Sequence, residues 1–292
     1  MTMPGFRNLR ELSDAQDAGR YLYASFRKQA TQTTGSGIWF DLSMSPGNPV
    51  PNYYIGTPGA FTPLSRSANG GIDHGPDCAA FGYKKFLRKL MGLTVTATAA
   101  PLTMQLMDYI GFYGFIDESV TDEQPLDNTL SPTRHQDGRG VMLMPIVVAG
   151  QTGGQTFTVN YTNSDGVSGR ITPPVIMSTQ SLNGTVLHSQ SSGAGRGGPF
   201  LPLQGNDSGV RSVQSVTIGG VGDVGLFSLV MVKPLATLAL RGIDAPTEVD
   251  YLTDCGTSLP NIVDDAYLNF VVLPVGTLAA AQILGTIETT WG

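Results

Sequence analysis

Charge is the scarcest commodity in this sequence. Asp, Glu, Lys and Arg together make up 14% of the 292 residues, against about 25% in an average soluble domain. The 17 basic and 23 acidic residues leave a net charge of −6. That balance excludes a general nucleic-acid binder, which carries a basic field. There are two cysteines, Cys78 and Cys255, far apart and outside any CxxC pair, which read as two reduced thiols or else as a single disulfide. Long apolar runs are missing too. The most apolar stretch, VGLFSLVMV (224–232), is too short to span a bilayer and leads into Lys233 and Pro234. The opening MTMPGFRNLREL lacks the apolar core of a secretory signal. The expectation is a chain made in the cytoplasm, without membrane contact, in which the sequons beginning at Asn160, Asn183 and Asn206 are coincidental.

Catalytic signatures are equally sparse. No serine sits in a Gly-x-Ser-x-Gly elbow, and the Gly-Lys-Ser/Thr ending of a phosphate loop does not occur. The three histidines, His74, His135 and His188, stand in loop-like sequence. His74 with Cys78, and His135 with Asp137, are the nearest approaches to metal-ligand spacing. Neither pair has further ligands close by. The acidic stretch DESVTDEQPLD (117–127) lacks the spacing and central glycine of a calcium loop. One motif does match: SSGAGRGGPF (191–200) places Gly193, Gly195 and Gly198 in a G-x-G-x-x-G pattern. A dinucleotide fingerprint needs a helix directly after its glycines, to face the pyrophosphate. Pro199 and Pro202 deny it that helix, so the stretch reads as an exposed connection between strands with Arg196 its single charge. No catalytic, cofactor-binding or metal-binding residue is assigned, and no cofactor is expected.

What is abundant is glycine, 37 residues or roughly 13% against about 7% on average. With Ser, Thr and 19 prolines it describes a loop-rich β protein. Two helices are expected. Residues 13–30 offer Ser13 as a cap, Asp14 and Asp17 near the start, Arg27 and Lys28 near the end, and an apolar stripe through Ala18, Leu22 and Phe26. Residues 77–91 place Ala80, Tyr83, Phe86 or Leu87, and Leu90 on one side and Lys84, Lys85, Arg88 and Lys89 on the other, with Gly92 as a stop. That basic group reads either as a solvated helix face or as a contact for an anion. Between the two, 34–72 is a proline- and aromatic-rich excursion whose Trp39, Phe40, Tyr53, Tyr54 and Phe61 need burial against something.

From residue 93 onward the pattern alternates with period two. LTVTATA (93–99) and QTFTVNYT (155–162) are strands, and NSDG (163–166) turns the latter into a hairpin with 168–177. Further strands are expected at 104–116, 141–149, 185–189, 209–218, 224–232, 235–240, 266–273 and 282–290. Strands without alternating helices predict a mainly β chain: an antiparallel β-sandwich or jelly-roll-like fold, with one or two N-terminal helices and a long Pro/aromatic-rich arm or loop. The division expected is an N-terminal helical and extended region, 1–92, and a β-rich domain, 93–292.

Three segments, GIWFDLSMSPGNPVPNYYIG (37–56), GVRSVQSVTI (209–218) and DDAYLNFVVLPVGTLAAAQILGTIETTW (264–291), resemble stretches of virion structural proteins of tailed bacteriophages. The resemblance carries no catalytic residues. It implies a particle component in many copies, located in the virion and contacting the major capsid protein or other virion proteins. A head decoration (cement) protein bridging capsid subunits as a dimer or trimer fits best. A tail, neck or baseplate protein is the alternative. Outside that class stands a carbohydrate-binding or hydrolytic β domain, with Trp39, Tyr53 and Tyr54 as a sugar platform.

Overall fold

The computed structural model describes residues 5–30, 32–150, 152–179, 182–189, 197–254 and 259–292. Along the chain run α1 (Leu9–Asp17), β1 (Tyr21–Gln29), β2 (Phe40–Asp41), β3 (Gly47–Asn48), β4 (Phe61–Pro63), α2 (Arg66–Asn69), β5 (Lys85–Thr94), β6 (Leu102–Asp117), β7 (Gln124–Pro125) and β8 (Met142–Ala149). They continue as β9 (Thr156–Asn163), β10 (Arg170–Ile171), β11 (Val175–Ile176), β12 (Val210–Ile218), β13 (Leu226–Leu240), β14 (Thr247–Asp250), β15 (Asn261–Ile262), β16 (Leu268–Pro274) and β17 (Gln282–Trp291). The fold is mainly β, and every pairing between these strands is antiparallel.

Three sheets form. The first runs β14-β5-β17-β1-β3, with β15 also on β5; the second runs β10-β9-β12-β7, with β11 on β9; the third runs β2-β16-β6-β13-β8, with β4 on β6. The third sheet is the centre. Leu102, Met104 and Leu106 at the start of β6 pack with Phe26, Leu90 and Ile287 of the first sheet. Ile110, Tyr113 and Ile116 farther along the same strand pack with Phe157, Val159 and Val213 of the second. Met107, Tyr109 and Phe112 meet Trp39, Met44, Tyr54 and Leu64 of the excursion. One 16-residue strand therefore borders three hydrophobic cores. In sequence, β1 and β5 belong to the first 94 residues and β17 to the last eleven, yet β17 lies between them in one sheet.

Both expected helices need correction. In 13–30 only the residues to Asp17 are helical. The cap is Asn8, whose Oδ1 accepts the Glu11 N–H at 3.0 Å. Gly19, at φ 73°, turns the chain, and Tyr21–Gln29 is a strand whose Ala24, Phe26 and Lys28 point inward. Aromatic residues at every second or third position suit a pleated surface better than a helix. In 77–91 the helix is a single 3-10 turn, Ala79–Phe81, stopped by Gly82 in the left-handed region. The remainder is β5. Lys89 pairs with Glu288 and Leu87 with Thr289, so Arg88 is an extra residue in the ladder. Such a bulge shifts the inward residues from Leu87 to Leu90, a spacing of three that imitates a helix.

The expected strands at 104–116, 141–149, 155–162, 209–218, 266–273 and 282–290 are present with small shifts of boundary, as is the 155–177 hairpin. LTVTATA contributes only through Leu93 and Thr94, and 185–189 makes only isolated bridges at Thr185 and Val186. The pair 224–232 and 235–240 is one strand, β13, running through Pro234. Pro234 is tolerated because β8 pairs only with Leu226–Val232, leaving β6 as the single neighbour there.

Close approach of β4 to β6 requires Gly111. A Cβ there would lie 2.7 Å from Phe61 Cε2 and 2.8 Å from the Thr62 carbonyl oxygen. Gly111→Ala is expected to loosen the excursion and lower stability by about 1–3 kcal/mol in urea unfolding, with faster amide exchange confined to 56–64.

Candidate functional site

The ladder on one side of β6 changes partner midway. Leu102–Asp108 pair with β16, and Gly111–Tyr113 pair with β4. At the switch no strand reaches the Tyr109 carbonyl. Arg134, from the 118–141 connection, takes that place. Its Nη2 donates to Tyr109 O at 2.7 Å, and its Nη1 donates to Leu64 O at 2.5 Å. Its Nε and Nη2 also donate to the Asp108 carboxylate, at 2.8 and 2.5 Å. Asp108 Oδ1 accepts the Tyr267 N–H at 3.1 Å, and Oδ2 lies 3.1 Å from His135 Nε2. Burial works to raise the Asp108 pKa. The hydrogen bonds from His135 and Arg134, with the guanidinium charge, outweigh it and hold the carboxyl below its ordinary value.

Beside this lock sits a second buried group. Asp41 accepts from the Ser43 N–H at 2.9 Å, Ser43 Oγ at 2.5 Å, Tyr54 Oη at 2.5 Å and Tyr109 Oη at 2.8 Å. Burial pushes the Asp41 pKa up against the pull of those donors, and it pushes the Tyr54 and Tyr109 hydroxyls well above their usual range. Lys28 crosses from β1 to donate to Ser45 O at 2.7 Å and Pro49 O at 2.8 Å. Its pKa falls to about 8 through desolvation, partly opposed by the charge of Asp41.

These contacts fix the excursion's shape. Trp39, Phe40, Leu42, Met44, Tyr54, Phe61 and Leu64 are buried, so 34–72 is a packed loop. Tyr54 has φ +53°, a left-handed conformation that is unfavourable for a bulky residue. Its N–H is held by Asn52 Oδ1 at 2.9 Å and its hydroxyl by Asp41. With Tyr54 turned inward, Val50, Tyr53 and Ile55 face out, at 58%, 51% and 76% exposure. A surface cavity of about 270 Å³ adjoins Tyr53, lined also by Gln32, Phe40, Met44, Ser45, Pro46 and Asn183. This apolar, rigidly backed surface is the candidate functional site. It can bury area against a partner; of Trp39, Tyr53 and Tyr54, only Tyr53 is available to a sugar ring.

The three histidines do not meet. His74 Nδ1 accepts from Lys85 Nζ at 2.9 Å while its Nε2 lies 3.0 Å from Ala266 O, and His188 Nε2 lies 3.0 Å from Phe200 O. Burial, the leading cause in each, lowers both pKa values to about 4. Cys78 Sγ donates to Pro76 O at 3.1 Å instead of joining His74. Asp137 takes the Arg139 N–H, leaving His135 to Asp108. The basic group disperses as well. Lys85 is buried, Arg88 lies 3.4 Å from Glu288, and Lys89 lies 2.7 Å from Glu248. Gly193, Gly195, Arg196 and Cys255 lie outside the described residues. Residues 197–209, after the glycine pattern, contain no helix. Among the described residues no helix is long and apolar enough to cross a membrane.

Neither the Arg134 lock nor the Asp41 group has a local sequence signal, because their members are 26 and 68 residues apart. Asp-x-Ser at 41–43 is the one fragment that spacing alone makes legible, as a turn in which the side chain takes the N–H two residues on.

No protein-family model matches the chain, and no curated protein matches it. A solved structure, the infectious bursal disease virus VP2 subviral particle, aligns over 92% of this chain and 81% of that chain at 9% identity and a TM-score of 0.15. A likeness that slight carries no argument.

Asp108→Ala would strand Arg134 in the interior. The expected loss is about 3–5 kcal/mol at neutral pH in denaturant titration. Because the folded carboxyl titrates below its ordinary 3.8, its contribution is present above that pH and disappears as pH falls through the folded value. The gap between wild type and variant should therefore narrow in acid.

Proposed function

We propose that this chain is a structural component of a tailed-bacteriophage particle, a decoration or cement protein that bridges capsid subunits. The observation that carries the reading is the excursion at 37–56. It is a segment of virion-like sequence, held from behind by Lys28 on Ser45 O and Pro49 O and by Tyr109 on Asp41, with Val50, Tyr53 and Ile55 turned to the surface. Apolar and aromatic side chains on a rigid backing lose little entropy on contact, which favours them at interface cores. The low charge of the chain supports the same reading, since charged residues are depleted from such cores. The action would be mechanical: area buried across a boundary between capsid subunits adds contacts that internal pressure must break.

Co-sedimentation with emptied, expanded heads tests it. Wild type is expected to pellet with heads and not with purified tails. Ile55→Glu, an exposed substitution expected to change stability by no more than about 0.5 kcal/mol, should abolish pelleting while leaving the unfolding curve in place. Binding to tails alone, or to neither, would refute the reading.

A further inference from the structure

Glu118 follows directly on β6 and is fully buried at 0% exposure. Neither of its carboxyl oxygens has a hydrogen-bond partner. Its main-chain N–H donates to Gly225 O at 3.0 Å, which sets the turn against the 219–225 loop. In that loop Asp223 is 5% exposed. Its Oδ2 accepts the Gln155 N–H at 2.9 Å, and its Oδ1 faces Gly154, 3.9 Å from where a Cβ would stand. Two buried carboxylates from distant parts of the chain thus flank one main-chain contact, the Glu118 N–H on Gly225 O. The charges acting on Glu118, from Asp223 and Asp117, are both negative.

A buried carboxylate without a donor is strongly unfavourable. A proton removes its charge, but it leaves a buried O–H and a buried carbonyl oxygen still unmatched. A cation matches both oxygens at once and offsets the charge of Asp223. No three Asp, Glu, His or Cys side chains converge among the described residues, so the side chains supply two carboxylates and the other ligands must be main-chain and water oxygens. Gly153, Gly154, Gly222 and Gly225 all have positive φ, so the loops on both sides of Asp223 turn without side chains at those positions. An all-oxygen, irregular ligand set suits Ca²⁺, which takes six to eight oxygens flexibly; Mg²⁺ demands near-ideal octahedral geometry, and zinc favours nitrogen and sulfur.

We propose that Glu118 and Asp223 form a calcium site, joining the end of β6 to the 152–155 and 219–225 loops. The arrangement owes nothing to the local spacing of 117–127, since its second carboxylate comes from over a hundred residues away. Burial, then the charges of Asp223 and Asp117, raise the Glu118 pKa to about 8. Calcium binding there is expected to release a proton.

The test uses the full chain after chelator treatment. Calorimetric titration with CaCl₂ near pH 7 should show binding whose heat varies with the buffer's ionisation enthalpy, reporting proton release. At calcium about a hundredfold above Kd, Tm should rise by about 5 °C, and sodium chloride of matched ionic strength should not reproduce the rise. Glu118→Gln should lose the Tm shift and the proton release together while remaining folded without calcium. Asp223→Asn should weaken binding. No heat and no Tm shift in wild type, or the same shift in Glu118→Gln, would overturn the proposal.

Discussion

The Arg134 guanidinium bridges the place where β6 exchanges one neighbour for another. A strand that borders three cores cannot keep a single partner along its length. Where β16 leaves and β4 arrives, backbone carbonyls would be buried without donors, at a penalty of about 1–3 kcal/mol each. Arg134 fills that gap with a rigid fork of donors, and Asp108 supplies the charge that makes burying the fork tolerable. From this follow the docking of the excursion, the path of Tyr267 and the placing of Tyr109.

Tyr109 carries the effect to the second polar group. It belongs to β6 through its backbone and to Asp41 through its hydroxyl. Asp41 in turn holds Tyr54 in its left-handed conformation, and Tyr54 inward means Tyr53 and Ile55 outward. A surface contact is thus specified by buried polar atoms. Apolar packing alone would leave such a proline-rich loop several nearly equal ways to lie.

Much of the β architecture was legible because alternation survives in single strands: Phe157, Val159 and Tyr161 face inward as their spacing demands. The two helix errors arose where local pattern and tertiary pairing diverge. Arg88 bulges from β5 and breaks the alternation, and Gly19 hides the boundary between α1 and β1. Pro234 split one strand into two because nothing local says that this position faces no second strand and so needs no N–H donor. The lock, the Asp41 group and the Glu118–Asp223 pair are long-range meetings of single residues, which no window of sequence displays. The packed excursion was half legible: its aromatics required burial, and only the fold says which of Tyr53 and Tyr54 obtained it.

The buried polar groups hold the outward apolar row in place from within, which is what the proposed shell-strengthening role requires. Electron microscopy of intact particles labelled with an antibody raised against this chain tests that role most directly. The account predicts label distributed regularly over the head, at many copies per particle. Label confined to the tail, or particles carrying none, would contradict it.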